Sequence, residues 1–208
     1  MSRPNQLTVF RMILTPLFAT ILILTKHIYL RYFSLFLFVF ACLTDWYDGY
    51  VARKSGNITL TGKYLDPLAD KILISTAFGV FTYLGYVDLW MFLVIALRDA
   101  IITALRSYGI SKNQPLVTST SAKWKTACQM LAIYLIFIWM ILKEQYAVRG
   151  TEPEFVSAVE EWHLIHYLML FVTLFTVYTG ASYLYENRRH LKSLAIACYR
   201  VFVPTNVR

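Results

Sequence analysis

Six runs of about twenty mostly apolar residues recur along this chain, and a run of that length matches the ~30 Å hydrocarbon core of a bilayer when it is helical. They fall near residues 7–24, 29–50, 66–86, 89–109, 122–142 and 164–185, if a few polar positions are allowed within them. Inside lipid a backbone has no water to bond to, so such runs must close their own hydrogen bonds as helices. The expected fold is therefore all-α: a polytopic membrane protein whose six transmembrane helices surround a polar site open to the cytoplasm. One domain is expected over 1–208, ending in a short basic tail, 186–208. A soluble domain is excluded by composition, because hydrophobic residues make up 58% and charged residues 15%, where about 25% charged is usual.

The net charge of +8 suits either nucleic acid or anionic lipid, and its distribution decides between them. With the N-terminus in the cytoplasm, only Lys26, Arg31, Lys143 and Arg149 of the 20 lysines and arginines stand at outer positions, leaving 16 on the cytoplasmic side. The expected outer loop, 143–163, holds Glu144, Glu152, Glu154, Glu160 and Glu161. This is the positive-inside pattern, and it argues against nucleic acid as a partner. The basic residues flank helices instead of forming one soluble face. Cys42, Cys128 and Cys198 are widely spaced and show no CxxC pairing, so they read as inert thiols. No cleavable leader pattern precedes the first span. Arg188, Arg189, His190 and Lys192 in the tail read as topology anchors. Asn5 and Arg11 fit a cytoplasmic anchor or lipid head-group contacts, and His163 and His166 read as interfacial residues.

Four aspartates break the apolar pattern where the second and third spans meet. Asp45, Asp48, Gly49 and Ala52 follow at i, i+3, i+4 and i+7, which is one face of a helix. Asp66 and Asp70, at i and i+4, share a face of the next, with Pro67 suited to its first turn and Asp66 to its N-cap. A polar loop, 51–65, is expected between them. One aspartate beside a span is ordinarily a cap or a solvated charge; four at regular spacing with two glycines are not. A carboxylate at mid-membrane depth costs about 2.5–3.5 kcal/mol on insertion scales, and four together repel. Divalent cations offset both effects, and an all-oxygen donor set suits Mg²⁺, with Mn²⁺ as a substitute. Gly49 and Gly62 leave room for a phosphate or nucleotide against the backbone.

The stretch DWYDGYVARKSGNITLTGKYLDPLAD, residues 45–70, resembles the signature of the CDP-alcohol phosphotransferase family, D-x2-D-G-x2-A-R-x8-G-x3-D-x3-D, and matches it at every fixed position. The family's six-helix membrane architecture agrees with the spans counted above. The resemblance implies a binuclear metal site ligated by Asp45, Asp48, Asp66 and Asp70, with Asp70 also the general base on the acceptor hydroxyl. It further implies that Gly49, Ala52, Arg53 and Gly62 lie against the CDP moiety of a CDP-diacylglycerol donor, and that the chain is a homodimer.

The signature reads only the CDP half of the reaction. For the acceptor, NQLTVFRMILTP (5–16), LRDAIITALR (97–106) and SAKWKTACQM (121–130) resemble the phosphatidylglycerophosphate synthases, the branch of bacterial inner-membrane enzymes that uses sn-glycerol 3-phosphate. Asp99 stands where that branch more often has Glu, and Ala122 where a glycine is common. A dianionic acceptor needs fixed cations besides the metals. Arg98, Arg106, Lys123 and Lys125 are the candidates, with Arg98 and Arg106 about 80° apart around one helix. Two readings stand for Arg98: an acceptor-phosphate contact, or a structural salt bridge to an aspartate. Either lysine, taken singly, reads as a helix-end anchor before a phosphate contact. The rival functions are a cardiolipin synthase of the CDP-diacylglycerol type, another acceptor such as inositol phosphate or serine, and, from a different class, a carboxylate-lined cation transporter.

Overall fold

The computed structural model describes residues 3–25, 27–55, 60–111, 120–150 and 153–188; for 3–9, 45, 46, 48–55, 60–68, 70, 108, 110, 111 and 120–123 it describes the backbone alone. Among the described residues seven helices run in order: α1 Arg3–Leu24, α2 Ile28–Ser55, α3 Leu60–Tyr83, α4 Leu89–Ser111, α5 Thr120–Arg149, α6 Glu154–Glu161 and α7 Leu164–Glu186. All but α6 are long, and among the described residues there is no strand. Two segments, Trp124–Arg149 and Leu164–Glu186, are long and apolar enough to cross a membrane, and Phe10–Leu24, Ile28–Thr44 and Lys71–Tyr83 are shorter apolar helices. The molecule is an all-α, membrane-associated bundle.

The helices overrun the apolar runs, and two sequence expectations change as a result. The loop expected over 51–65 is mostly helix, because α2 continues to Ser55 and α3 starts at Leu60. At 28 residues α2 is about 42 Å long, longer than the hydrocarbon core, so its polar end can stand in the head-group zone with the helix unbroken. Asp66 is consequently inside α3 and is not its N-cap, and Pro67 is an interior proline beyond the first turn. Likewise much of the outer loop expected over 143–163 is helix: α5 runs on to Arg149, and α6 is an amphipathic helix of about two turns whose Val156 is buried. Edge-on packing of Trp139 against Phe155 at 6.2 Å holds α6 to α5. The tail beyond 188 lies outside the described residues, as does Cys198. Neither Cys42 nor Cys128 is part of a disulfide.

Helix α1 packs against both α2 and α3, α5 touches α2, α3 and α7, and α4 touches α3 and α7. A chain of rings stitches this together. Phe38 of α2 meets Phe18 of α1 at 5.6 Å, and Tyr134 and Phe137 of α5 at 5.7 and 5.6 Å. Phe137 in turn meets Phe81 of α3 at 5.0 Å. Ser34 donates to the Phe18 carbonyl at 3.0 Å, tying α2 to α1. The outward faces carry exposed Ile13, Phe36, Leu97, Phe171 and Leu174, side chains suited to lipid.

Polar clasps close the end of the bundle where α4 and α7 begin. Buried Arg31 of α2 pairs with Glu144 of α5, Lys143 pairs with Glu160 of α6, and His166 lies 3.0 Å from Asp88. His163 adopts a left-handed φ of 48° at the start of α7, redirecting the chain out of α6.

Because Phe38 is fully enclosed by rings from two other helices, Phe38→Ala should cost about 3 kcal/mol or more. That corresponds to a fall of roughly 6 °C or more in the melting temperature in detergent. Phe36→Ala, on the exposed face two residues earlier, should leave that temperature nearly unchanged.

Candidate active site

The four aspartates of the signature lie at the joined ends of α2 and α3. Asp45 is ten residues before the end of α2 and Asp70 ten after the start of α3; Asp48 is seven before and Asp66 six after. At about 1.5 Å per residue the first pair stands about 15 Å from its helix ends and the second about 10 Å. Four residues, 56–59, join the helices, a connection that spans about 17 Å at most. Counted along each helix, the four positions lie at similar distances from the α2–α3 connection. The side chains of these aspartates, and those of Gly49, Ala52, Arg53, Gly62 and Lys123, lie outside the described residues. Among the described residues no group of three metal-ligating side chains occurs; the all-oxygen chemistry of four aspartates fits a hard divalent ion.

Beside α3 is a buried charged layer built from three helices. Asp99 of α4, 3% exposed, receives Lys125 of α5 on both carboxylate oxygens, and Lys125 itself is 1% exposed. Arg98 donates from one terminal nitrogen to Asp99 at 3.1 Å and from the other to the Thr179 hydroxyl of α7 at 3.2 Å. Lys71, next to Asp70 on α3, is near enough to act electrostatically on Asp99 and Lys125. Of the two readings for Arg98, the salt bridge is realised, and its partner is the adjacent residue. The fourth candidate, Arg106, is exposed near the end of α4, and with Arg98 it acts electrostatically on buried Tyr183 of α7.

Gly180 lets Arg98 pack directly on the α7 backbone. A Cβ there would lie 3.1 Å from both Cγ and Nε of Arg98, so the bare backbone is the floor on which the arginine rests. An apolar groove of about 340 Å³ opens between α4 and α7 at the same place, lined by Leu97, Arg98, Ile101, Val177, Gly180 and Leu184.

Sequence reasoning missed three features. Arg11, expected at the membrane surface, is 1% exposed on α1; a buried arginine in a bundle is a functional-site candidate by default. Gln129, one turn beyond Lys125, is fully buried with neither amide atom hydrogen-bonded. Thr173, Thr176, Thr179, Gly180 and Tyr183 form a buried polar or small stripe on α7. The stripe was readable as spacing of three and four residues inside an apolar run.

A family model described as CDP-alcohol phosphatidyltransferase matches residues 1–178. The chain belongs to this family, and it is an enzyme. Among curated proteins it is similar to a CDP-diacylglycerol–glycerol-3-phosphate 3-phosphatidyltransferase of Wigglesworthia glossinidia brevipalpis, 37% identical over 70% of this chain and 79% of that protein. Proteins of the same description match from Salmonella typhimurium, 34% identical over 79% of this chain and 92% of the relative, and from Bacillus subtilis, 29% identical over 91% and 97%.

Asp99→Asn takes the carboxylate from both Lys125 and Arg98, a loss of about 3–5 kcal/mol for buried pairs of this kind, whereas Lys125→Met leaves Asp99 its contact with Arg98 at 3.1 Å and should cost less. The double variant Asp99→Asn/Lys125→Met should lose less in detergent melting than the sum of the two single losses, because the lysine and the carboxylate act on each other. Additive losses would mean that the pair is not coupled.

Proposed function

We propose that this enzyme transfers the phosphatidyl group of CDP-diacylglycerol to sn-glycerol 3-phosphate, giving phosphatidylglycerol phosphate and CMP. The observation that carries the reading is the four-residue connection between α2 and α3, since the joined ends of these helices bear all four aspartates. The activity in the names of the relatives supports the choice of donor and acceptor.

In this reading Asp45, Asp48, Asp66 and Asp70 hold two divalent ions, Mg²⁺ or in its place Mn²⁺. When bound, these ions supply neutralisation of the diphosphate and of the charge on departing CMP, and they acidify the acceptor hydroxyl. Asp70 takes the proton from the primary hydroxyl of the acceptor. That oxygen attacks the phosphorus bearing diacylglycerol, and the bond from this phosphorus to the CMP oxygen breaks, its electron pair leaving with CMP. Gly49, Ala52, Arg53 and Gly62 lie against the CDP moiety. Arg98, Arg106, Lys123 and Lys125 attract the acceptor's phosphate. Arg98 and Lys125 retain donors beyond those that Asp99 and Thr179 take. The groove between α4 and α7 gives acyl chains a sideways route from the inner leaflet.

Six spans with the N-terminus and the active site towards the cytoplasm of a bacterial inner membrane agree with the charge asymmetry. A homodimer is the assembly we propose.

The test is CMP release from CDP-diacylglycerol by purified protein in detergent with Mg²⁺, with glycerol 3-phosphate, phosphatidylglycerol, inositol phosphate and serine offered separately. Release is expected with glycerol 3-phosphate alone and should vanish in Asp70→Asn without loss of the folded state. Release with phosphatidylglycerol instead would make the chain a cardiolipin synthase. Folded protein inactive with every acceptor would return the transporter reading.

A further inference from the structure

The charged layer continues into a neutral polar one. Beyond Lys125 on α5 comes Gln129, and before Thr179 on α7 comes Thr176. Both are fully buried, and the Gln129 amide oxygen, the Gln129 amide nitrogen and the Thr176 hydroxyl have no hydrogen-bond partner. Helices α5 and α7 are antiparallel: Leu135, Ile138 and Leu142 of α5 line one cleft with Leu164, Ile165 and Leu168 of α7, while Lys125, earlier in α5, is linked through Asp99 and Arg98 to Thr179, later in α7. Continued along the bundle, that register sets Gln129 at the height of Thr176. It also sets Lys125 at the height of Gly180, where Arg98 rests. Gln129 and Thr176 therefore form one level, about one helical turn, or 5.4 Å, further into the bundle than the cations.

Unpartnered buried polar atoms are costly anywhere, and more so where lipid surrounds the protein. Three of them at one level specify what would satisfy them. An amide and a hydroxyl both donate and accept and carry no charge, so their complement is a neutral group that does the same. A metal ion is poorly served by the amide nitrogen, and a phosphate by the amide oxygen. A hydroxyl fits. One turn is also close to the distance from a phosphate to the hydroxyl on the neighbouring carbon.

We infer that Gln129 and Thr176 bind the non-reacting secondary hydroxyl of the acceptor, next to the cations that hold its phosphate, and so select a glycerol-type acceptor over one lacking that hydroxyl. This rests on the glycerol 3-phosphate reading given above. The arrangement discriminates because an acceptor without the hydroxyl leaves the amide and the threonine unpaired in the complex.

The test compares kcat/KM for glycerol 3-phosphate with that for 3-hydroxypropyl phosphate, which keeps the phosphate and the reacting primary hydroxyl and lacks only the secondary one. The wild type should prefer glycerol 3-phosphate by about tenfold or more. Gln129→Met and Thr176→Val, close to the native shapes, should each bring that ratio towards one, chiefly through the KM of glycerol 3-phosphate, whereas Thr176→Ser should retain the preference. Equal use of the two acceptors by the wild type overturns the inference and needs no variant. An unchanged ratio in folded variants, with both acceptors slowed alike, overturns it too and assigns the pair to a structural water only. A wild type that ignores both acceptors but uses another sinks the glycerol 3-phosphate reading itself, a result distinct from either of these.

Discussion

A charge inside an apolar bundle must meet an opposite charge there, and much of this structure follows from that constraint. Asp99 is the centre of its best-described instance. It holds Lys125 directly and Arg98 from the side, so α4 and α5 are fixed to each other, and Arg98 carries the connection to Thr179 of α7. An isolated lysine in the position of Lys125 would carry a desolvation penalty of several kcal/mol. Paired, it holds three helices in register. Arg31 and Glu144 repeat the device at the opposite end of the bundle.

Such pairs contribute more to position than to stability, because desolvation cancels much of the Coulomb attraction. Stability rests instead on close packing, here the chain of rings running from Phe18 through Phe38 and Phe137 to Phe81. The two kinds of contact are separated along the bundle. Rings fill the centre of α1, α2, α3 and α5, and polar layers lie where α4, α5 and α7 meet. An apolar groove between α4 and α7 lies at the flank of the Asp99 layer.

Much of this was legible in the chain. Apolar runs marked the helices because lipid requires such runs, and the signature over 45–70 stood out because membrane carboxylates are expensive. Helix ends were less legible: polar residues beyond the hydrocarbon look like loop in sequence, yet α2, α3 and α5 continue through them as helix. Burial of individual cations was not legible either. Arg11 and Lys125 read as surface anchors because a basic residue near a helix end usually is one, and only the packing of other helices over them reveals the difference. The partner of Arg98 was hidden for a related reason. Adjacent residues on a helix do not normally face one another, and here Lys125 draws Asp99 into a shared cluster. The polar stripe of α7 was present as spacing, but threonine in a membrane helix commonly bonds back to its own backbone, as Thr173 does at 2.7 Å. Nothing in the spacing alone distinguishes Thr176, which does not.

The account depends on the aspartates of α2 and α3 acting as one metal site. Manganese binding to the detergent-solubilised protein, followed by the loss of the free-ion paramagnetic resonance signal, tests this without any turnover. The account predicts two ions per chain in the wild type, and loss of this binding when Asp45 and Asp66, one from each helix, are changed together to asparagine in protein that remains folded. Undiminished binding in that variant would contradict the shared site and leave the α2–α3 junction without its function.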